Sequence, residues 1–187
     1  MVTYLAFLRG INVSGQKQIK MNDLAALFIG LGAEDVRTYI QSGNVVFRYP
    51  DSDLPALIRL ISGKIFEKYG FEVPVLIRTA SELREMLARN SFTDEIITDA
   101  NQPYVTFLSE EPAIENLEKL NSEHYEPDRF RVLGRAIYLY CPGGYGQTKL
   151  SNAFLEKKLK VTATTRNWKT IQALVNLADQ AAGRVKN

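Results

Sequence analysis

Apolar positions along the chain recur with two alternating periods, two and about 3.6, and the alternation predicts strands and helices in regular succession. Tyr4 to Leu8 is a nearly unbroken apolar run, which predicts a strand buried on both faces. Asn22 reads as the N-cap of a helix that presents Leu24, Leu27, Phe28 and Leu31 and stops at Gly32. Val36–Ile40 and Val45–Tyr49 read as strands flanking the tight turn Gln41-Ser42-Gly43-Asn44. A second helix begins near Asp53, carries Pro55 in its first turn, presents Leu57, Ile58, Ile61 and Ile65, and ends at Gly70. Val73–Arg78 then closes a β-α-β-β-α-β order, the ferredoxin-like plait.

The second half repeats the order. Thr79 and Glu82 form a capping box for a linking helix through Leu83 and Leu87. Tyr104–Leu108 is a strand, Pro112 opens a helix through Ile114, Leu117 and Leu120, and Phe130–Leu133 and Ala136–Tyr140 pair across Gly134-Arg135. A helix from about Lys149 to Lys158 follows, and the short Thr162–Thr165 run is the one candidate for a closing strand. Asn167 caps a last helix bearing Trp168, Ile171, Leu174, Val175 and Ala178, stopped at Gly183.

The expected fold is therefore α+β: two ferredoxin-like (α/β plait) halves with antiparallel sheets, plus a linking helix and a C-terminal helix. Residues 1–80 make the first half; residues 81–187 hold the linking helix, the second half and the last helix. The repeat is one of topology, with no residue-level match between the halves. In a 4-1-3-2 antiparallel sheet the end of strand one and the strand two–three turn leave at the same edge. Arg9-Gly10-Ile11-Asn12 and Gln41-Ser42-Gly43-Asn44 should therefore be neighbours.

Composition narrows the chemistry. One cysteine, Cys141, and one histidine, His124, exclude a disulfide framework and a cysteine-based zinc site, and they remove most Cys–His catalytic schemes. Carboxylates near the basic loops are few, Asp23 and Glu156 being the nearest by sequence, so a two-carboxylate hydrolase or a carboxylate metal site has little support. No apolar run reaches the ~18 residues of a membrane helix. Met1-Val2-Thr3 lacks a basic leader region. A cytoplasmic, non-membrane setting is the expectation.

The net charge of +2 conceals an asymmetry. Residues 1–80 carry +2, residues 81–130 carry 4 basic against 12 acidic residues, and residues 131–187 carry 10 basic against 2 acidic. Either the basic end steers an anionic partner or the acidic middle lies against it and cancels it.

Three segments combine backbone freedom with cations. Arg9 to Lys20 is a long strand-to-helix connection holding Gly10 and Gly15 with Arg9, Lys17 and Lys20, a set suited to an anion. Cys141-Pro142-Gly143-Gly144-Tyr145-Gly146-Gln147-Thr148-Lys149 resembles a phosphate cradle before a helix, but Gln147-Thr148 separate the last glycine from the lysine, so the Walker spacing is absent. Thr164-Thr165-Arg166-Asn167-Trp168-Lys169 flanks a helix start with Arg166 and Lys169. Each segment also has a purely structural reading: a glycine-turned loop, a clean strand exit and a helix cap.

Phe7-Leu8-Arg9-Gly10-Ile11-Asn12-Val13, Thr38-Tyr39-Ile40-Gln41-Ser42-Gly43-Asn44-Val45-Val46-Phe47 and Ala163-Thr164-Thr165-Arg166-Asn167-Trp168 resemble the signatures of a mainly bacterial family, domain of unknown function 1697. The likeness spans nearly the whole chain. Where the family's first loop has paired glycines, this sequence has Ser14-Gly15. The resemblance implies two ferredoxin-like halves and no particular activity or cofactor.

The expected function is binding of an anionic or phosphorylated ligand, with nucleic acid the candidate polymer. Arg9, Asn12, Lys17, Ser42, Asn44, Lys149, Arg166 and Asn167 are the candidate ligand-binding residues, with no metal ligand among them. One alternative is an enzyme acting on a small phosphorylated or nucleotide substrate. The other is a structural or protein-interaction protein in which Arg9 and Arg166 are buried.

Overall fold

The first apolar run forms β1 (Val2–Leu8), in which Tyr4 through Leu8 are all at most 2 % exposed. The structure is a computed structural model, and it describes residues 1–89, 92 and 103–183. Antiparallel partners flank β1 on both sides: β3 (Asn44–Tyr49), with Phe7 opposite Asn44, and β4 (Val75–Thr79), with Tyr4 opposite Thr79. Edge strand β2 (Glu34–Tyr39) joins β3, its register shifted between Glu34 and Arg37, and the sheet order is β2-β3-β1-β4.

Helices α1 (Met21–Gly30) and α2 (Leu54–Tyr69) supply Leu24, Phe28, Leu57, Ile61 and Ile65 to the core that covers one face of this sheet. The alternating residues Tyr4, Ala6, Leu8, Val45, Phe47, Val75 and Ile77 meet them. Phe28 stands edge-on to Phe47 at 4.9 Å between centroids. Full burial of such a side chain stabilises the fold by about 1.5–3 kcal/mol. Leu5, Phe7, Val46 and Leu76, on the opposite face, are buried as well.

Local signals set the helix ends. The Asp53 carboxylate accepts the Ala56 N–H at 3.1 Å, and Gly70 ends α2 in the left-handed conformation at φ +74. Thr79 and Glu82 close the capping box of α3 (Ala80–Ala88): the Thr79 N–H donates to the Glu82 carboxylate at 2.7 Å, and the Glu82 N–H donates to the Thr79 hydroxyl at 3.2 Å. The start of α1 differs from expectation. Lys20, not Asn22, is the N-cap, and its side chain makes no capping hydrogen bond.

The second half repeats the plait with β5 (Tyr104–Leu108), α4 (Ile114–Asn121), β6 (Arg129–Leu133), β7 (Ala136–Tyr140), α5 (Asn152–Leu159) and β8 (Ala163–Asn167), ordered β6-β7-β5-β8. The closing strand is thus real. Its polar sequence Ala-Thr-Thr-Arg-Asn hides it from a hydrophobic pattern, yet Ala163, Thr164 and Arg166 are buried. Helix α6 (Trp168–Ala181) follows, its Thr170 N–H donating to the Asn167 side chain at 2.8 Å. Leu108, Leu120, Ile137, Leu139, Leu155 and Leu159 form the second core around Cys141. Burial pushes that thiol up to about 11, so it packs as a small apolar group rather than as a nucleophile.

Two compact units result, Met1–Leu87 with Gln172–Asn187, and Ala88–Ile171, where the sequence pattern divides the chain at residue 80. In the first unit, the end of α6 is tied back to α3 and β2: Arg84 donates twice to one Asp179 oxygen, at 3.0 and 2.8 Å, and Arg37 donates to Gln180 at 2.7 Å. In the second unit, Lys158 of the basic end pairs with Glu123 of the acidic middle. Among the described residues no helix is long and apolar enough to cross a membrane.

The halves also match residue by residue, which the sequence alone does not reveal. Tyr4, Phe7 and Leu8 correspond to Tyr104, Phe107 and Leu108, and Leu5 opposite Arg78 corresponds to Val105 opposite Arg166. The Leu8 N–H donates to the Gly43 carbonyl at 2.9 Å, as the Leu108 N–H does to the Arg135 carbonyl at 3.0 Å. Features present in both halves belong to the scaffold. Features present in one half call for another explanation.

Candidate functional site

The clearest difference between the halves is the connection after the first strand. Residues 109–113 join β5 to α4 in the second unit, whereas residues 9–20 join β1 to α1 in the first, 5 residues against 12. The fold does not require the longer form, and long ordered connections are more often functional.

That loop is held firmly. Ile11 and Ile19, 2 % and 1 % exposed, anchor its two arms in the core. Between them the chain makes a miniature hairpin: the Gln16 N–H donates to the Val13 carbonyl at 2.9 Å, and the Asn12 N–H donates to the Lys17 carbonyl at 3.2 Å. Ser14 and Gly15 at its tip have φ +50 and +73, the pair of positive values that a mirror-image turn demands. Paired glycines would meet that demand without strain. The Asn12 side chain then ties the arms and the neighbouring turn together. Its Nδ2 donates to the carbonyls of Ile19 at 3.0 Å and Gln41 at 2.8 Å, and its Oδ1 accepts the Ile19 N–H at 2.8 Å. The β1 exit and the β2–β3 turn are therefore neighbours, as the plait topology requires.

Strained backbone gathers at the same place. Among the described residues, six that are not glycine have positive φ, and four of them, Asn12, Ser14, Lys17 and Ile40, belong to this loop and turn. Such residues cluster where function holds them. Ile40 stands out, since a β-branched residue at φ +50 is strained and its side chain is half exposed. Relief of that left-handed strain, ~1–2 kcal/mol, exceeds the ~0.5–1 kcal/mol of chain freedom a glycine adds. Ile40→Gly should raise the melting temperature by about 2 °C in thermal denaturation. An unchanged or lower melting point would contradict strain at this position.

The loop, the Gln41 turn, the start of α1 and the end of α2 surround an open cleft of about 550 Å³. Asn12, Gly15, Gln18 and Ile19 line it from the loop, Lys20 and Asp23 from α1, Gln41 from the turn and Tyr69 from α2. The first amides of α1 receive no side-chain cap, and they carry the positive end of the helix dipole. Lys68 holds the two helices in place by donating to the Asp23 carbonyl at 3.3 Å. The Tyr69 ring stacks on Phe71 at 5.8 Å, and its hydroxyl is buried without a hydrogen-bond partner, the one such side-chain atom among the described residues. A buried hydroxyl left unpaired costs roughly 1–3 kcal/mol.

In the second unit α4 likewise starts without a side-chain cap, after Ala113. There the preceding connection carries Glu110 and Glu111, with Glu115 in the first turn, so the local charge is acidic. In the first unit the equivalent position has Lys17 and Lys20, with Asp23 in the first turn.

The candidate residues fall into two groups. In the first unit, Asn12 and Ser42 lie at the cleft or its turn, and Lys17 donates to the Glu72 carbonyl at 2.7 Å, fixing the hairpin to the α2–β4 segment. Asn44 is fully buried and donates to the Tyr39 carbonyl at 3.0 Å and the Ser42 hydroxyl at 2.9 Å, which makes it the brace of the β2–β3 turn. Arg9 follows β1, half-buried, its N–H bonded to the Pro74 carbonyl at 2.9 Å.

In the second unit, Arg166 is 8 % exposed and donates to the Thr164 hydroxyl and the Thr165 carbonyl, each at 2.8 Å. Arg78 donates to the Ile77 carbonyl at 2.8 Å in the same manner, so this arginine is a scaffold feature of both halves. Asn167 is the cap of α6. Lys149 is exposed at the end of the glycine-rich segment. That segment is anchored by Tyr145, whose hydroxyl donates to Thr165 at 3.0 Å, and by Thr148, which donates to Asp128 at 2.6 Å. The helix beyond it, α5, is closed by Ser151, whose hydroxyl accepts the Phe154 N–H at 3.3 Å. The amide at the third position of its first turn is thereby taken up by the chain itself. Gln18, Gln41 and Tyr69 line the cleft without having been singled out by their sequence pattern. Among the described residues no group of His, Cys, Asp and Glu could hold a metal ion.

The model of a family described as protein of unknown function (DUF1697) matches residues 1–138. A solved structure, that of the conserved bacterial protein SP0830 from Streptococcus pneumoniae, is similar to this chain with a TM-score of 0.69 at 21 % identity. The likeness covers 95 % of this chain and 98 % of that one. No curated protein matches the chain.

Proposed function

The chain belongs to the DUF1697 family, the one its three motifs resemble, and from that premise we propose that its first unit binds a small phosphorylated or otherwise anionic ligand. The cleft at the start of α1 is the binding site in this reading. The observation that carries it is the pairing of an uncapped helix start with Lys20 at the rim of a strained, firmly braced loop that the second half lacks. Uncapped amides at a helix start, with a cation beside them, favour an anionic oxygen. A volume of about 550 Å³ suits a small molecule.

Within the proposed site Lys20 supplies the charge, and Gln18 and Gln41 supply direction. Asn12, Ser42 and Asn44 act one step back, shaping the loop and turn. Lys17 adds positive potential while holding the hairpin.

Calorimetric titration with propyl phosphate, and separately with a short oligonucleotide, tests the reading. Propyl phosphate should bind saturably, and Lys20→Gln should weaken it about ten-fold or more, the scale of one charge-assisted hydrogen bond, without altering the melting temperature. Binding of the oligonucleotide alone, falling steeply with salt, would replace the small ligand with a polymer.

A further inference from the structure

We propose that the outer face of α2 pairs with the same face of a second copy of this chain, antiparallel about a two-fold axis at Gly63. The inner face of the helix is accounted for by Leu57, Ile61 and Ile65, which sit in the first core. The outer face is not the purely polar one that a solvent-facing helix presents. Leu60 is 41 % and Phe66 52 % exposed, and neither belongs to the core. Gly63 stands midway between them, itself exposed. Glycine inside a helix costs stability through the chain freedom it loses on folding. Nothing in this chain requires it there: the backbone at Gly63 is ordinary helix, and a Cβ would meet nothing beyond its own helix within 4 Å. A missing side chain on an outward helix face does serve the close approach of another backbone.

The order of residues about Gly63 selects the occupant. In an antiparallel pair crossing at Gly63, a residue before it on one helix stands level with the residue equally far after it on the other. Leu60 and Phe66 are each three places from Gly63, and Arg59 and Glu67 are each four places from it. Leu60 therefore stands level with the partner's Phe66, and Arg59 with the partner's Glu67, each twice over by symmetry. Apolar meets apolar and basic meets acidic. Arg59 is exposed and makes no ion pair among the described residues. Glu67 is held by Lys64 at 2.6 Å, a pair that leaves its side chain 68 % exposed. A parallel pair would set Arg59 against Arg59 and Glu67 against Glu67, so the charges specify the antiparallel one. A pair of 16-residue helices is a small interface. It falls below the ~1,200 Å² of stable complexes, and the expected dissociation constant is about 100 µM.

Sedimentation equilibrium of the full chain, from about 10 µM to about 1 mM, should show a reversible monomer–dimer equilibrium. Arg59→Glu alone, and Glu67→Arg alone, should weaken it at least ten-fold, because each sets like charges level at both symmetric contacts. An equimolar mixture of the two variants should restore the dimer, since the mixed pair again faces opposite charges. Gly63→Gln should abolish the dimer while raising the melting temperature of the monomer by about 2 °C. Melting curves read the folding of every variant. A chain that stays monomeric throughout, single charge variants that associate as the unaltered chain does, a mixture that fails to recover, or a dimer that survives Gly63→Gln overturns the proposal.

Discussion

Gly43→Ala is expected to lower the melting temperature by on the order of 10 °C, the largest effect of any single substitution considered. Gly43 ends the β2–β3 turn at φ +77, where an L side chain is strained by ~1–2 kcal/mol. The space is also taken. A Cβ at this position would lie 2.7 Å from Ile11 Cδ1 and 2.8 Å from Leu8 Cβ, both buried atoms of the β1 exit. Leu8 Cβ cannot swing away, and overpacking of this kind costs a further ~1–3 kcal/mol. The Gly43 carbonyl accepts the Leu8 N–H, so a shift of the turn also loosens the strand end from which the loop departs. Thermal denaturation measures the loss; a shift below about 2 °C would mean that the turn and the β1 exit are not in contact.

Asn12→Ala should damage stability and binding together. The substitution deletes three hydrogen bonds and leaves the N–H of Ile19, a residue 1 % exposed, with its acceptor removed. A buried donor so abandoned costs about 1–3 kcal/mol. Asn12 also occupies φ +54, a conformation asparagine tolerates better than alanine does. The loop would then be ordered only at the expense of binding energy, and propyl phosphate affinity should fall by about two orders of magnitude. Hydrogen exchange at the Ile19 amide, read by NMR, should accelerate. Asn12→Asp keeps the acceptor for the Ile19 N–H and loses the two donors, so it should lie between the two proteins. Stability lost with exchange at Ile19 unchanged would contradict the brace.

The contrast with Lys20→Gln separates the two kinds of residue in the site. Asn12 and Gly43 shape the cleft and should move stability and affinity together, whereas Lys20 should move affinity alone.

Much of the fold was legible because its signals are local. Asp53, Pro55 and Gly70 bracket α2, Thr79 with Glu82 starts α3, and Asn167 starts α6, each through side chains or backbone angles that act within a few residues. Strand β8 was only faintly visible, because its buried Thr164 and Arg166 are satisfied by hydrogen bonds rather than by apolar packing. The start of α1 was misplaced because Asn22 is a good cap by type, while the loop, braced through Asn12 and Ile19, delivers the chain into the helix earlier.

The candidate site was legible in outline and not in its contacts. Topology alone places the β1 exit beside the β2–β3 turn. Asparagine offers the same donors and acceptor to a ligand as to its own backbone, so Asn12 and Asn44 drew attention for one task and perform the other. Tyr69 gave no signal. It lines the cleft from the end of α2, beside loop residues about fifty positions earlier, which no local pattern encodes.

The central claim is that the anion site lies at the start of α1 in the first unit. Two-dimensional amide NMR of the full chain during titration with propyl phosphate tests it most directly. Saturable shifts should appear at Gly15, Gln18, Lys20 to Asp23, Gln41 and Tyr69. Shifts centred instead on Gly143 to Lys149, or none that saturate, would contradict it.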